Sequence, residues 1–534
     1  MAPEVCDVLI IGAGTAGCVL ANRLSADPDT RVIVAEAGRS DRDLLLHVPG
    51  ASIRNSTTPK FNWGFVTEPE AALDNRQLFW AQGKVLGGSS AINGMIYARG
   101  HPLDYDRWVQ LGCAGWGYDD LLPFFRRAER NERGAGPLHG GDGPVQVSRG
   151  RPDLAICQRF LNAAAEEGFP VLDDLNTPAP EGFGHYDTTV GRGRRSSSAS
   201  AYLNPVRGRP NLRVWLHSLA ARLIIEGSRV VGAELIREGR RVTVRAEREV
   251  LLCGGAVNSP QLLMLSGIGP ADHLDAMGIP VRVDLPAVGE NLQNHVSYRM
   301  QFAVSEPITA YKYVRPAGAL RAGAEYLLRR RGVLSQSIVP TGGFFRTDPS
   351  LDAPDVQVQL GVGLIGRVGG SVLARLPREH GFSLGVNQGS PYSRGTVRLR
   401  SADPTVPPAI APRYFSNPRD LDVLVLGVER MRALARRPSL ARVISREIDP
   451  SPDIADRAAL RASARTRAGT AFHPVGTCRM GADAESVVDL QLRVRGVEGL
   501  RVADASVIPA LMNANTNAAA LMIGERAAAL ALEG

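Results

Sequence analysis

The sequence predicts an α/β fold, α+β over the whole chain, arranged as two lobes. Three observations predict it. Apolar runs of strand length lead into glycine-rich turns or an acidic residue at the start, middle and end of the chain, at residues 7–11, 249–253 and 499–503. Stretches of strict polar/apolar alternation, such as 355–360 and 395–400, fall between residues 296 and 470, where period two suits an antiparallel sheet with one wet face. The 534 residues, 44% hydrophobic and 22% charged, have ordinary globular composition and enough length for two large lobes.

The elements follow in chain order. Residues 6–36 read as a strand at 7–11, a glycine turn, a helix through 20–24 and a second strand at 31–35. Continuous apolar strands joined by a crossover helix make a parallel pair buried on both faces. Residues 249–253 run into Gly254-Gly255 and then a helix, with Ser259-Pro260 read as its start and Gly267 as its end. Residues 499–503 run into Asp504. Strands of one parallel sheet are thus spread along the chain, which predicts a single nucleotide-binding lobe interrupted by insertions. Its segments are placed at 1–150, 195–295 and 470–534, and the second lobe at 151–194 and 296–469. Residues 420–444 have helical spacing with Arg-rich polar positions, and the Gly/Arg/Ser run 191–200 reads as a loop.

Composition narrows the partners. The chain has 62 basic and 54 acidic residues, net +8, but only Lys60, Lys84 and Lys312 are lysines, and the arginines are scattered. Without a basic stripe or interleaved aromatics, no nucleic-acid partner is expected. No apolar stretch reaches the roughly 18 residues that span a bilayer, so no integral membrane segment is expected. Strand character begins by about residue 6, which predicts a cytoplasmic protein, with at most peripheral membrane contact through the net charge. Cys6, Cys18, Cys113, Cys157, Cys253 and Cys478 form no C-x-x-C pair and no zinc spacing, which predicts reduced core thiols and no metal.

The chemistry begins at Gly12-Ala-Gly14-Thr15-Ala16-Gly17, which follows a strand and opens a helix. Glycines allow the tight turn and the approach of a pyrophosphate, and the helix N-terminus offers its free N–H groups. Glu36, followed by Ala37, stands nineteen residues after Gly17 at the end of the second strand, where a carboxylate accepts ribose hydroxyls. This register predicts a dinucleotide without a 2′-phosphate. A second glycine-rich segment, 83–100, can press backbone against a flat ligand, and a third, 255–270, has glycines that fit helix punctuation.

Together with Asp104-Tyr-Asp-Arg-Trp108, Gly115-Trp-Gly-Tyr118, Leu138-His-Gly140, Ala201-Tyr-Leu203, Val288-Gly-Glu-Asn-Leu292, His473-Pro-Val-Gly-Thr477 and Asn513-Ala-Asn-Thr-Asn517 before Gly524-Glu525, these segments make a pattern over nearly the full chain. It resembles the glucose–methanol–choline (GMC) oxidoreductase family. The resemblance implies a Rossmann-like FAD lobe, a substrate lobe on a mostly antiparallel sheet, and oxidation of a CH–OH donor with hydride passing to flavin N5.

The resemblance also assigns residues. His473 matches the family's catalytic histidine, and a neutral imidazole suits removal of a hydroxyl proton near neutral pH. Asn515, counted back from Gly524-Glu525, matches the second active-site position and orients the substrate oxygen. Flavin contacts are implied for Gly87, Ser90, Asn93, Gly94, Met95, Ile96, Asp504, Ala505, Thr516 and Asn517, with Ala220 near the adenine through its backbone. Ala91 stands where some relatives carry a linking histidine, so FAD is expected without a covalent bond. Gln293-Asn294-His295 lacks the family's usual carboxylate at its second position, which is expected to alter a hydrogen bond in the flavin lobe. The implied partners are a small-molecule alcohol, with an aryl or medium-chain primary alcohol favoured over choline, and oxygen or a quinone-like electron acceptor. Candidate pocket segments are 335–340 and 360–365. The alternative within the family is non-redox or photochemical use of the flavin, as in hydroxynitrile lyases and fatty-acid photodecarboxylases.

Overall fold

The apolar run that opens the chain becomes the strand Glu4–Ile11, and its last four residues are all buried. In the computed structural model, which describes residues 3–364 and 379–533, this strand lies between Val32–Ala35 and Arg240–Leu252, parallel to both. Leu212–Trp215 extends the sheet, parallel to Val32–Ala35. The thirteen-residue strand Arg240–Leu252 changes partner along its other edge. Its first half pairs antiparallel with Arg229–Arg237, and its last three residues pair parallel with Leu500–Val502. Ser218–Glu226 completes this seven-stranded sheet. The two late strands expected at 249–253 and 499–503 therefore sit side by side.

Helix Thr15–Leu24 packs against the C-terminal helix Asn517–Glu533. The approach is close at Gly524, where a Cβ would stand 2.9 Å from that of Val19. Beside it, the buried Glu525 accepts from the Arg23 guanidinium at 2.7 Å and from the Tyr202 hydroxyl at 2.7 Å. Pairing of this kind is what makes a buried carboxylate tolerable.

The second sheet has eight strands. Its order is Ile444–Asp449, Val296–Val304, Gly381–Gln388, Val356–Gly361, Thr341–Phe345, Gly182–His185 and Val171–Leu172, with Gly469–Thr470 also on Val296–Val304. All pairings are antiparallel except the last short one, Val171–Leu172 on Gly182–His185. Each sheet has its own apolar cluster, one around Leu9, Val34 and Leu251, the other around Phe183, Val358 and Leu384.

Three local expectations are corrected. The alternating stretch 395–400 yields Thr396–Arg398, which pairs only with Ala409–Ala411 in a separate hairpin. The helical stretch 420–444 is two helices, Pro418–Ala435 and Pro438–Ala441, because Pro438 cannot continue the first; the strand Ile444–Asp449 then follows. The helix expected to open at Ser259-Pro260 is Gly255–Leu265, with Pro260 inside it. Pro260 has no N–H for the Ala256 carbonyl, and the Thr477 hydroxyl donates to that carbonyl instead, at 2.7 Å. All six cysteines are buried and free. Among the described residues, no helix is long and apolar enough to cross a membrane, and no group of His, Cys, Asp and Glu side chains could hold a metal ion.

Candidate active site

The main cavity opens where the parallel strands end, lined by Ile11, Ala35 and Leu252 and by the turns that follow them. Open α/β sheets bind ligands at this edge. Gly12 has φ +100°, and a Cβ there would lie 2.5 Å from the Cys253 carbonyl oxygen, so only glycine fits between the first turn and the Cys253–Gly254 turn. The Glu36 carboxylate accepts the N–H groups of Ala13 (2.8 Å) and Gly38 (2.7 Å), bracing the turn. Burial nevertheless pushes its pKa up to about 7. Asp504 ties the late strand to the middle one: its carboxylate accepts from Gly255 N–H at 2.8 Å and the Ser259 hydroxyl at 2.6 Å. Helices Thr15–Leu24 and Asn517–Glu533 begin at the same place, linked by the Thr15 hydroxyl donating to Asn517 Oδ1 at 3.0 Å. Two helix N-termini on one cavity wall suit a pyrophosphate.

Of the residues expected to face a cofactor, Gly12, Gly14, Thr15, Ala16, Glu36, Ala37, Asn93, Gly94, Met95, Ile96, Ala220, Asp504, Ala505, Thr516 and Asn517 line this cavity. Ala220 lies at a β-bulge, beside a break in the ladder with Arg229–Arg237. Gly17, Gly87 and Ser90 are not part of the lining. Gly17 backs onto the Gly12 carbonyl. The Ser90 hydroxyl bridges the 87–90 turn to the next segment, donating to Gly87 O at 2.6 Å and accepting from Ser198 N–H at 2.9 Å. These three shape the wall from behind. Ala91 is buried with Leu46, Phe61, Val85 and Ile92.

His473 and Asn515 also line the cavity. Asn515 Nδ2 lies 3.0 Å from His473 Nε2. Asn515 Oδ1 accepts from Gln357 Nε2 at 2.9 Å, which turns the amide nitrogen toward the histidine. Behind His473, its Nδ1 meets His295 Nδ1 at 2.9 Å. His295 Nε2 lies 2.8 Å from the Gly389 carbonyl and 3.1 Å from that of Met512. Carbonyls only accept, so the His295 proton sits on Nε2 and its Nδ1 is an acceptor. His473 must then donate from Nδ1, and its Nε2 lone pair, on the cavity side, accepts from Asn515 Nδ2. Burial pushes the His295 pKa down to about 4. Burial, together with the neighbouring His295, holds His473 well below the ordinary histidine range. Both rings are therefore neutral near pH 7, and the relay of tautomers presents a base to the cavity.

Sequence reasoning missed three contributors here. His295 was seen only as the end of a motif. Asn294, expected to alter a hydrogen bond in the flavin lobe, holds the segment that carries His473. Its Oδ1 accepts the His473 backbone N–H at 2.8 Å, while its Nδ2 donates to the Tyr414 and Thr470 hydroxyls at 2.7 Å each. Arg195, inside the run read as a loop, is buried with its guanidinium on the carbonyls of Leu46, Ser90 and Asn93. No carboxylate lies within ion-pair distance among the described residues, Nη2 has no partner, and burial pulls its pKa down to about 9. A fixed positive charge thus stands behind the 90–93 wall. Of the two expected pocket segments, Ile338 and Val339 line the cavity; residues 360–364 do not, Gln359 taking that place, and Ile365 lies outside the described residues.

The two asparagines are expected to separate experimentally. Asn515→Ala removes the amide that bonds Gln357 and His473; the net worth of such a hydrogen bond is about 0.5–1.5 kcal/mol, so alcohol should reduce the flavin at least roughly two- to tenfold more slowly at full occupancy. Asn517→Ala breaks the Thr15 link and should weaken FAD retention more than it slows reduction. Anaerobic stopped-flow with flavin occupancy measured on each variant checks both, and the reverse pattern would exchange their roles.

Comparison with known proteins shows what the chain is similar to. Residues 6–297 and 391–524 match the N-terminal and C-terminal sequence families described as GMC oxidoreductase. The mitochondrial choline dehydrogenase of Mus musculus is 42% identical over 532 residues, covering 97% of this chain and 88% of that protein. The oxygen-dependent choline dehydrogenase of Sinorhizobium medicae is 40% identical over 524 residues, covering 98% and 94%. A structure of Aspergillus oryzae formate oxidase, studied for its FAD modification, superposes with TM-score 0.93 at 26% identity, covering 100% and 99%.

Proposed function

The chain belongs to the GMC oxidoreductase family, FAD enzymes that act on CH–OH donors, and from that premise we propose that its own substrate is a neutral primary alcohol, oxidised to the aldehyde. One observation carries the choice. Among the described residues that line the cavity, the carboxylates are Glu36 and Asp504, and both are tied to backbone N–H groups at the strand ends. The lining also includes Ile338, Val339, Gln359 and Asn515 with the aromatic residues Trp63, Phe65 and Phe472, and among the described residues it offers no further carboxylate for a quaternary ammonium. A second reading, choline itself, is favoured by the 40–42% identity to choline dehydrogenases.

Bound at the strand ends, FAD supplies the acceptor for the hydride leaving the carbinol carbon. The chain supplies the rest. The Gly12 turn, Glu36, Thr15 and Asn517 would hold the dinucleotide. His473 Nε2 takes the hydroxyl proton, the free N–H of Asn515 holds the oxygen, and Gln357 and His295 keep both groups in orientation.

A panel of choline and neutral alcohols, read out by anaerobic bleaching of the flavin, tests the substrate. Reduction by neutral alcohols at higher kcat/KM supports the proposal, and reduction by choline alone overturns it in favour of the second reading. Air re-oxidation against re-oxidation by a soluble quinone assigns the acceptor. The linkage has its own test. With Ala91 in an apolar cluster, acid precipitation should release all the yellow colour to the supernatant, and flavin in the pellet would disprove a non-covalent link. The reading includes a cytoplasmic location; the mouse relative is named mitochondrial, and cell fractionation decides for this chain.

A further inference from the structure

Helix Pro316–Arg329 carries apolar residues on its solvent side as well as on its buried one. Its buried positions are Ala322 and Tyr326, while Leu320, Leu327 and Leu328 are 77%, 71% and 83% exposed. At 100° per residue, Ala317, Leu320, Ala324 and Leu327 lie on the side opposite Tyr326, with Leu328 beside them. A surface helix normally turns its charged residues to that side. On the opposite, buried side, the Tyr326 hydroxyl donates to the His47 carbonyl at 3.4 Å. His47 ends the turn Leu44–His47, whose Leu44 is also 77% exposed.

The cations around this face are unmatched. Lys312 and Arg315 precede the helix, Arg321 lies within it, and Arg329, Arg330 and Arg331 close it; Glu325 is the one acid between residues 311 and 331. All six cations are exposed, and none is in an ion pair among the described residues. Elsewhere on the surface, Arg446, Arg457 and Arg479 are matched to carboxylates.

We propose that this face docks the protein on an anionic lipid surface, with Leu320, Leu327 and Leu328 entering the headgroup boundary and the six cations on the anionic headgroups. Exposed leucines framed by Lys and Arg on one helix are the pattern of an interfacial anchor. A second copy is a poorer occupant, because a two-fold contact would press the six cations against their own equivalents. The inference does not use the cavity, so it stands or falls separately from the alcohol reading.

The test is co-sedimentation of the FAD-loaded protein with vesicles. Binding is expected to phosphatidylcholine containing phosphatidylglycerol, to fall about tenfold or more on phosphatidylcholine alone, and to weaken with added salt. The double variant Leu320→Glu/Leu327→Glu should lose binding by a similar factor while keeping parent flavin content and melting temperature, since both side chains are exposed. Arg321→Gln/Arg329→Gln should reduce binding to the anionic vesicles and leave the weak binding to phosphatidylcholine alone unchanged. Failure of the parent to bind, or equal binding by the leucine variant, overturns the proposal. A parent that is dimeric by light scattering, with a monomeric leucine variant and no vesicle binding, assigns the face to a second copy instead.

Discussion

Replacing His473 by alanine is expected to leave a yellow protein whose flavin is reduced by alcohol about 10²- to 10⁴-fold more slowly, the usual worth of a positioned base. The flavin should stay because the groups that hold a dinucleotide are elsewhere: the Gly12 turn, Glu36, and the linked helix starts at Thr15 and Asn517. None of them is hydrogen-bonded to His473, whose contacts are His295, Asn515 and, through its backbone, Asn294. The loss should therefore fall on the reduction step, read by anaerobic stopped-flow at saturating alcohol. A variant that reduces its flavin at the parent rate would remove His473 as the base. Loss of flavin would instead show that His473 supports the cavity itself.

How much of this was legible in the chain depends on how far apart the interacting residues lie. The Gly12–Gly17 turn and its acid at Glu36 are local, and the sequence pattern alone implied their ligand. The carboxylate does lie against the turn, 2.8 Å from Ala13 N–H. The parallel strands were legible because burial on both faces leaves a continuous apolar run. The change of partner along Arg240–Leu252 was not, since nothing in a strand's own composition says which chain runs beside it. Pro260 was misread for a similar reason. Proline is usual in a helix's first turn, and the donor that lets it sit deeper, the Thr477 hydroxyl, lies 221 positions from the Ala256 carbonyl it satisfies. Arg195 looked like part of a polar loop because the carbonyls that bury it belong to residues 46, 90 and 93. His295 stands 178 residues from His473, and only the fold brings the two rings together.

That pairing gives the second large effect. His295→Phe is expected to slow flavin reduction about 10- to 100-fold with FAD retained. The ring would still fill the space, but it offers no acceptor, so the His473 Nδ1–H would be left buried and unpaired, a loss of about 1–3 kcal/mol. The tautomer with its proton on Nε2 would then compete, and in that form the nitrogen facing the alcohol cannot take a proton. His295→Gln should recover part of the rate, because an amide can accept from His473 with its oxygen and donate to the Gly389 and Met512 carbonyls with its nitrogen. The pH profile separates this role from simple packing. His295 helps hold the His473 pKa down, through its charge when protonated. His295→Gln removes that charge and keeps an acceptor for the His473 Nδ1–H, so it should raise the pKa and move the acid limb of the reduction rate to higher pH; His295→Phe also loses the acceptor, which favours the charged form, so its limb should move less. If His295→Phe and His295→Gln lose rate equally and the acid limb stays at its parent position, His295 is a packing residue, and the base owes its tautomer to Asn515 alone.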